Sequence, residues 1–183
     1  MNETFEGADE LVILVDDQDN EIGVLDKLSI HQQGLLHRAF SVFIFNSKNE
    51  LLIQQRADIK YHSPGLWTNT CCSHPKPYEK TIEGCNRRLM EEMGMACELE
   101  FSFSFKYKCM FSNGLTEHEF DHVYLGINDE LPILNRLEVK DWKYITLIDL
   151  EKEIELHPEN FTEWLKICFF KLCSHSQSYQ IKS

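Results

Sequence analysis

Apolar and polar residues alternate strictly between residues 99 and 109, which is the clearest structural signal in the chain. Side chains on a β-strand point alternately to opposite faces, so a period of two predicts a strand with one buried face. The Asn113-Gly114 pair that follows is a strong turn signal. Residues 117–127 are therefore predicted to form the return strand, with Glu117 and Glu119 on one face.

Short apolar runs bounded by polar turn residues predict the other strands. The nearly continuous apolar run at residues 39–45 is typical of a central strand that is covered on both faces. Two hairpins are expected, one formed by the first two of these strands and one by the next two. The strands predicted in this way are residues 10–15, 21–27, 37–46, 51–55 and 142–145.

Apolar residues spaced three and four apart predict three helices. The first is expected at residues 81–93, capped by Thr81 and terminated by Gly94. Two more are predicted at residues 147–155 and 160–174. Between the strands and the first helix, the chain is irregular, and loops of this kind often contain functional residues.

The composition indicates one packed domain. The chain has 183 residues and is 43% hydrophobic, and residues 1–8 and 175–183 are expected to be flexible tails. The net charge of −12 argues against nucleic acid as a partner, because a phosphate backbone needs a basic face. We find no signal-like segment and no apolar run of membrane length, so we expect a cytoplasmic protein without a membrane partner. Its seven scattered cysteines are expected to be reduced, and the chain to be a monomer or a weak homodimer.

Two cysteines and one histidine lie within four residues, in Cys71-Cys72-Ser73-His74. On extended backbone Cys72 and His74 share a face, while Cys71 points the opposite way. An imidazole next to a thiol favours the thiolate, and the same pair could also ligate a metal. A buried cysteine beside a structural histidine is the plainer alternative.

Three histidines and two glutamates are candidates for one divalent metal site, since both ligand types suit zinc or manganese. They are His31, His37, His74, Glu117 and Glu119. Their spacing does not show that they meet. Paired glutamates on a strand are commonly a solvated face, so both interpretations stay open on the pattern alone.

The segment from Ser73 to Met95 resembles the Nudix box, a loop–helix motif that supports diphosphate chemistry through metal-bound glutamates. The box expects glycine where Ser73 stands and glutamate where Arg88 stands, so the carboxylate set of a Nudix hydrolase is incomplete. Arg88 and Glu92 share a helix face, which suits binding a diphosphate better than hydrolysing it. The matching pattern is Ser73-x5-Glu79-x7-Arg87-Arg88-Leu89-x-Glu91-Glu92-x-Gly94-Met95.

These departures resemble one branch of the Nudix superfamily, the type 1 isopentenyl-diphosphate isomerases, over about residues 11–164. The matching motifs are Lys27-x-x-x-His31, Leu36-His37-x-Ala39-Phe40, Asn69-x-x-Cys72-x-His74-Pro75 and Glu117-x-Glu119. The resemblance implies an α/β (α+β) fold, a Nudix-like mixed β-sheet sandwiched between helices. It also implies a first divalent metal, manganese, zinc or magnesium, held by His31, His37, His74, Glu117 and Glu119.

The same resemblance implies a small isoprenoid diphosphate as substrate. Isopentenyl diphosphate would become dimethylallyl diphosphate through a tertiary carbocation, in isoprenoid biosynthesis. Cys72 and Glu119 are the implied acid and base, with Tyr107 beside the glutamate and Trp164 facing the cationic centre. Glu92 would hold a magnesium ion against the diphosphate. The implied cationic clamp for the diphosphate consists of Lys27, Arg56, Lys60 and Arg88.

Two other functions are compatible with parts of the sequence. The Nudix box alone would also fit a hydrolase of nucleoside or other diphosphates, although Arg88 argues against it. In a non-catalytic domain, Cys72 and His74 would instead help to build a structural zinc site.

Overall fold

A computed structural model describes residues 10–60, 62–111 and 113–176, and within them one mixed β-sheet lies between helices, which confirms the predicted α+β class. Nine strands, β1 to β9, form the sheet in this part of the chain. In chain order they are Leu11–Val15, Glu21–Asp26, His37–Phe45, Glu50–Arg56, Trp67–Thr68, Cys71–Ser73, Leu99–Met110, Thr116–Ile127 and Val139–Thr146. The helices α1 to α4 of the same residues are Lys27–Gln33, Thr81–Met93, Leu147–Leu156 and Glu163–Ser176.

Every predicted strand and helix is present, and four short elements were not predicted. The missed elements are α1, the short strands β5 and β6, and a single 3-10 turn at Pro158–Asn160, all of which are too brief to show a period. The last helix continues to Ser176, two residues beyond its predicted end, while residues 1–8 and 177–183 of the predicted tails lie outside the described residues. Within the described ranges we find no helix with the length and apolarity that a bilayer crossing requires.

Strand β3 organises the sheet. It pairs antiparallel with β1, β4 and β6 and parallel with β8. The remaining pairs, β1 with β2, β4 with β5 and β9, and β7 with β8, are antiparallel. The parallel register places His37 of β3 opposite Glu119 of β8. Two predicted metal ligands that are far apart in sequence therefore become neighbours.

Both faces of the sheet are covered by helices. On one face Val42 of β3 packs in a core with Leu89 of α2. On the other face Phe43, the next residue of β3, packs in a core with Phe169 of α4 and with residues of α3. The continuous apolar run of β3 therefore reflects burial on both sides, as the sequence predicted.

The two ends of α2 are fixed by backbone contacts. Lys80, not Thr81, occupies the N-cap position with extended backbone, and its N–H donates to the Glu83 carboxylate at 3.1 Å. The predicted cap at Thr81 is therefore wrong, because Thr81 is already helical. Gly94 ends the helix as predicted, at φ 61, and the Ile133 N–H donates to the Met93 carbonyl at 2.7 Å.

The contact at Gly94 predicts an unusually large loss of stability. A Cβ at position 94 would lie 2.6 Å from the Ile133 carbonyl oxygen, whereas one at Gly114 would meet no described atom within 4 Å. Both glycines have positive φ, so alanine at either costs roughly 1–2 kcal/mol of backbone strain. In denaturant titrations we expect Gly94→Ala to lower the free energy of unfolding by about 3 kcal/mol, because the clash adds to the strain. Equal losses in the two variants would contradict the tight contact.

Candidate active site

One cavity collects most of the residues that the sequence predicted for chemistry. The predicted residues on its wall are Lys27, Arg56, Lys60, Cys72, His74, Arg88, Glu92, Tyr107, Glu117, Glu119 and Trp164. His31 and His37 are buried next to this wall, and their ring centroids lie 6.0 and 5.0 Å from that of His74. The fold therefore brings the whole predicted set into one region.

Four of the five predicted metal ligands form a compact group. One donor atom from each of His31, His37, His74 and Glu119 lies within 4.8 Å of the others. His31 belongs to α1, His37 begins β3, His74 follows β6 and Glu119 lies in β8. The group therefore exists only after four separate segments have folded together, and it could bind a metal ion.

Burial favours the neutral form, which is the form that ligates metals, for two imidazoles of this group. Burial lowers the pKa of His31 to about 2 and that of His74 to about 4. Nδ1 of His37 lies 2.9 Å from the Leu35 carbonyl oxygen, which can accept a hydrogen bond from it. Its Nε2 then faces the Glu119 carboxylate, and this use of the second nitrogen is common in metal-binding histidines.

Glu119 provides the negative charge of the group. Its Oε1 lies 3.2 Å from Nε2 of His74 and 3.6 Å from Nε2 of His37. Burial alone would raise the pKa of Glu119, but the two imidazoles outweigh it and hold that pKa well below its usual value. An ionised carboxylate among three imidazoles is a donor set that fits a divalent cation.

Glu117, the fifth predicted ligand, lies outside the compact group and has other partners. Burial, together with the charge of Glu119, raises the pKa of Glu117 well above its usual value. The Tyr107 hydroxyl lies 2.7 Å from Oε2 of Glu119 and 3.0 Å from Oε2 of Glu117. Because the hydroxyl has one proton, it can donate fully to only one of these two carboxylate oxygens at a time. The predicted proximity of Tyr107 to Glu119 is therefore observed, and the contact with Glu117 is an addition.

The two neighbouring cysteines face opposite sides of the sheet, as the extended backbone predicted. Cys71 is buried in the core against α2, whereas Cys72 lies on the cavity wall. Burial raises the pKa of Cys72 to about 12, despite the nearby Arg56 guanidinium. The expected thiolate at Cys72 is therefore wrong, because desolvation disfavours the anion more strongly than nearby groups favour it.

Arg88 of α2 lies on the cavity wall and pairs with three carboxylates, of which Glu92 and Glu138 also line the cavity. Its Nη2 donates to Oε1 of Glu92 at 2.6 Å, which confirms the predicted pairing along one helix face. The same Nη2 lies 3.3 Å from Oε2 of Glu138, and Nη1 donates to Glu91 at 2.9 Å. Burial would raise the pKa of Glu138, but Arg88 and Lys60 lower it, so Glu138 is charged.

The other three basic residues predicted to bind the diphosphate, Lys27, Lys60 and Arg56, have different partners within the protein. Lys27 Nζ lies 3.8 Å from Oε2 of Glu10, and Lys60 forms an ion pair with Glu138. Arg56 donates from Nη2 to the His62 carbonyl oxygen at 3.2 Å. Nε of Arg56 is buried and has no hydrogen-bond partner among the described residues, and the same holds for Nε of Arg88. These guanidinium groups therefore keep hydrogen-bonding capacity for an anionic ligand.

Trp164, in the first turn of α4, supplies an aromatic part of the wall. Its Nε1 donates to the Thr68 hydroxyl at 2.7 Å, which fixes the ring. The Arg56 guanidinium carbon lies 5.2 Å from the ring centroid, within cation–π range. The His62 ring approaches at 5.5 Å. The indole is thus held rigidly and already contacts one cation through its π system.

Three charged or titratable residues on the wall were not predicted from the sequence: Glu10, His62 and Glu138. Nε2 of His62 lies 3.9 Å from Oε1 of Glu117. In the sequence, His62 appears only as an isolated histidine just before the Pro64-Gly65 turn, which is a weak signal for a functional residue. Glu138 gives no local signal, because it reaches the cavity through the pairing of β4 with β9.

Comparisons with known proteins agree with this geometry. The NUDIX domain family matches residues 35–165. The chain is 50% identical to the isopentenyl-diphosphate Delta-isomerase 2 of Aromatoleum aromaticum, over 89% of this chain and 86% of that protein. It is 45% identical to the isopentenyl-diphosphate Delta-isomerase of Pectobacterium atrosepticum, over 92% and 94% of the two chains.

A solved structure supports the fold independently of close sequence similarity. The crystal structure of DR0079 from Deinococcus radiodurans superposes with a TM-score of 0.68 at 20% identity, over 80% of this chain and 90% of that one. At this identity the likeness concerns the fold alone. The domain match and the similarity to the two bacterial relatives show more than the fold, because both extend over most of the chain. This chain therefore belongs to the isopentenyl-diphosphate Delta-isomerase family, within the Nudix superfamily.

Proposed function

We propose that this chain converts isopentenyl diphosphate to dimethylallyl diphosphate by adding one proton to the alkene and removing another from a neighbouring carbon. The observation that supports this most directly is that one cavity contains a protonated thiol, a carboxylate of the compact histidine group and four basic side chains. An allylic isomerase needs an acid, a base and a diphosphate site in one place. The names of the bacterial relatives give the same reaction.

The basic side chains would bind the diphosphate. The cavity wall holds Lys27, Arg56, Lys60 and Arg88, and the chain's net charge of −12 would otherwise repel such a ligand. The two arginines can offer planar pairs of N–H donors to phosphate oxygens. Glu92, next to Arg88 on α2, would hold a magnesium ion against the diphosphate.

Cys72 and Glu119 would transfer the protons. The Cys72 thiol is protonated and can donate, while Glu119 is ionised and can accept. Tyr107 would orient Glu119 through the 2.7 Å hydrogen bond. A divalent metal held by His31, His37, His74 and Glu119 would tune the acidity of that carboxyl group. Manganese, zinc and magnesium are candidates, and Glu117 would complete the ligand set.

Trp164 would protect the intermediate. A tertiary carbocation is lost if water adds to it, so the cavity must exclude water around the reacting carbons. The π face of a desolvated tryptophan attracts a cation by about 2 kcal/mol. The hydrogen bond from Trp164 to Thr68 keeps the ring at the wall, where it can serve both purposes.

The remaining expectations concern the setting of the protein. We infer that it acts in the cytoplasm, as a monomer or a weak homodimer, in isoprenoid biosynthesis. Its partner is a small-molecule isoprenoid diphosphate. Neither a membrane nor a nucleic acid is required for the proposed reaction.

Incubation with isopentenyl diphosphate and Mg²⁺ in D₂O tests the proposed reaction. Because the alkene receives a proton that exchanges with solvent, we expect deuterium in the dimethylallyl product, detected by NMR. Phosphate should not be released. Release of phosphate without labelled product would instead indicate a Nudix-type hydrolase.

The two neighbouring cysteines provide a matched pair of variants. Cys72→Ala removes the proposed acid, so we expect turnover to fall by about 10²-fold or more. Cys71→Ala removes a buried thiol on the opposite face, so activity should remain while the protein loses some stability. Steady-state kinetics with folded protein measure both. Loss of activity in Cys71→Ala alone would overturn the assignment of the thiol.

A further inference from the structure

Glu138 is a carboxylate that lies between two basic side chains, Lys60 and Arg88, on the cavity wall. Its Oε2 forms an ion pair with Lys60 Nζ and lies 3.3 Å from Arg88 Nη2. The backbone on either side is fixed, since the Glu138 carbonyl accepts from Ala57 N–H at 3.0 Å and its N–H donates to the Asn135 carbonyl at 2.9 Å. The side chain is only 20% exposed. The carboxylate is therefore held in place and weakly screened by solvent.

The charges around Arg88 are balanced within the wall. Its Nη2 also donates to Oε1 of Glu92 at 2.6 Å, so Glu92 and Glu138 share one guanidinium nitrogen. Among the residues on the wall itself, Lys60 and Arg88 carry two positive charges and Glu92 and Glu138 carry two negative charges. Glu91, the third carboxylate that pairs with Arg88, does not line the cavity. This part of the wall is therefore electrically neutral, although it contains two of the four diphosphate-binding candidates.

A wall with equal numbers of positive and negative side chains would bind a free diphosphate and a metal-bound diphosphate with different affinities. A free diphosphate, with roughly three negative charges at neutral pH, would approach two carboxylates as closely as the two cations. A diphosphate that carries a divalent cation presents positive charge as well. The carboxylates then attract the cation while Lys60 and Arg88 attract the phosphate oxygens.

We propose that Glu138 is a specificity-determining residue that makes this cavity select a magnesium-bound diphosphate over the free diphosphate. The inference rests on the proposed function, because it assumes that Lys60 and Arg88 bind a diphosphate. Glu138 repels phosphate oxygens that lack a metal, and it does so without becoming a ligand of the metal. Selection by the wall would prevent unproductive binding of the free anion.

Calorimetric titration with inorganic pyrophosphate, with and without Mg²⁺, tests this role. Glu138→Gln keeps the shape of the side chain and removes its charge, so we expect free pyrophosphate to bind about tenfold more tightly. Magnesium pyrophosphate should bind about as tightly as to the unchanged protein. The preference for the metal-bound form should therefore fall by the same factor of about ten.

Glu91→Gln is the matched control. Glu91 also pairs with Arg88, at 2.9 Å, but its side chain is 42% exposed and it does not line the cavity. Neutralising it should change neither affinity. We expect both variants to fold, because Glu138→Gln leaves the backbone hydrogen bonds of this position in place. Circular dichroism and thermal melting check this.

Three results would overturn the proposal. Weaker binding of both ligands to Glu138→Gln would show that Glu138 only positions Lys60 and Arg88, and unchanged binding would show that its charge is screened. Weaker binding of magnesium pyrophosphate alone would make Glu138 a metal ligand. The D₂O assay on the unchanged protein tests the isomerase activity separately from the role of Glu138 in binding. Selective pyrophosphate binding without labelled product would refute the isomerase and leave the role of Glu138 intact.

Discussion

The burial of three imidazoles and an ionised carboxylate at one point is the constraint on which the rest of the structure depends. His31, His37 and His74 are 2%, 0% and 5% exposed, and Glu119 is 8% exposed. A buried charge without compensation costs several kcal/mol. The nearby imidazoles of His37 and His74 compensate part of that cost, and a cation bound by the same four side chains would compensate it further. The parallel pairing of β3 with β8, which sets His37 opposite Glu119, is what makes this arrangement possible.

The sheet separates residues that stabilise the fold from residues that face the ligand. Cys71 packs against α2, while Cys72, one residue later, faces the cavity. Helix α2 links the two functions, because Leu89 packs in the core while Arg88, its neighbour, lines the cavity. The proposed acid Cys72 and the proposed diphosphate ligand Arg88 are therefore held in register by packed elements of the fold.

The local sequence pattern was sufficient to locate the longer strands and helices, but it did not show which of them pack or pair with each other. The alternation at residues 99–109 located β7, and helical spacing located α2, because both signals extend over many residues. Helix α1 has only seven residues, so its period was not visible. The ligand histidines were identified by resemblance, whereas Glu138 was missed because the pairing of β4 with β9 brings it to the cavity. The state of the Cys72 thiol depends on burial, which the neighbouring residues in sequence do not reveal.

The histidine group and the Cys72 thiol have different proposed roles, metal binding and proton transfer, although His74 is only two residues from Cys72. X-ray absorption at the zinc edge of the zinc-loaded protein tests that division directly. We expect a first shell of nitrogen and oxygen atoms at about 2.0–2.2 Å, from imidazole and carboxylate ligands, with no sulfur. A sulfur atom at about 2.3 Å from the metal would contradict the account, because it would make Cys72 a ligand and remove it from proton transfer.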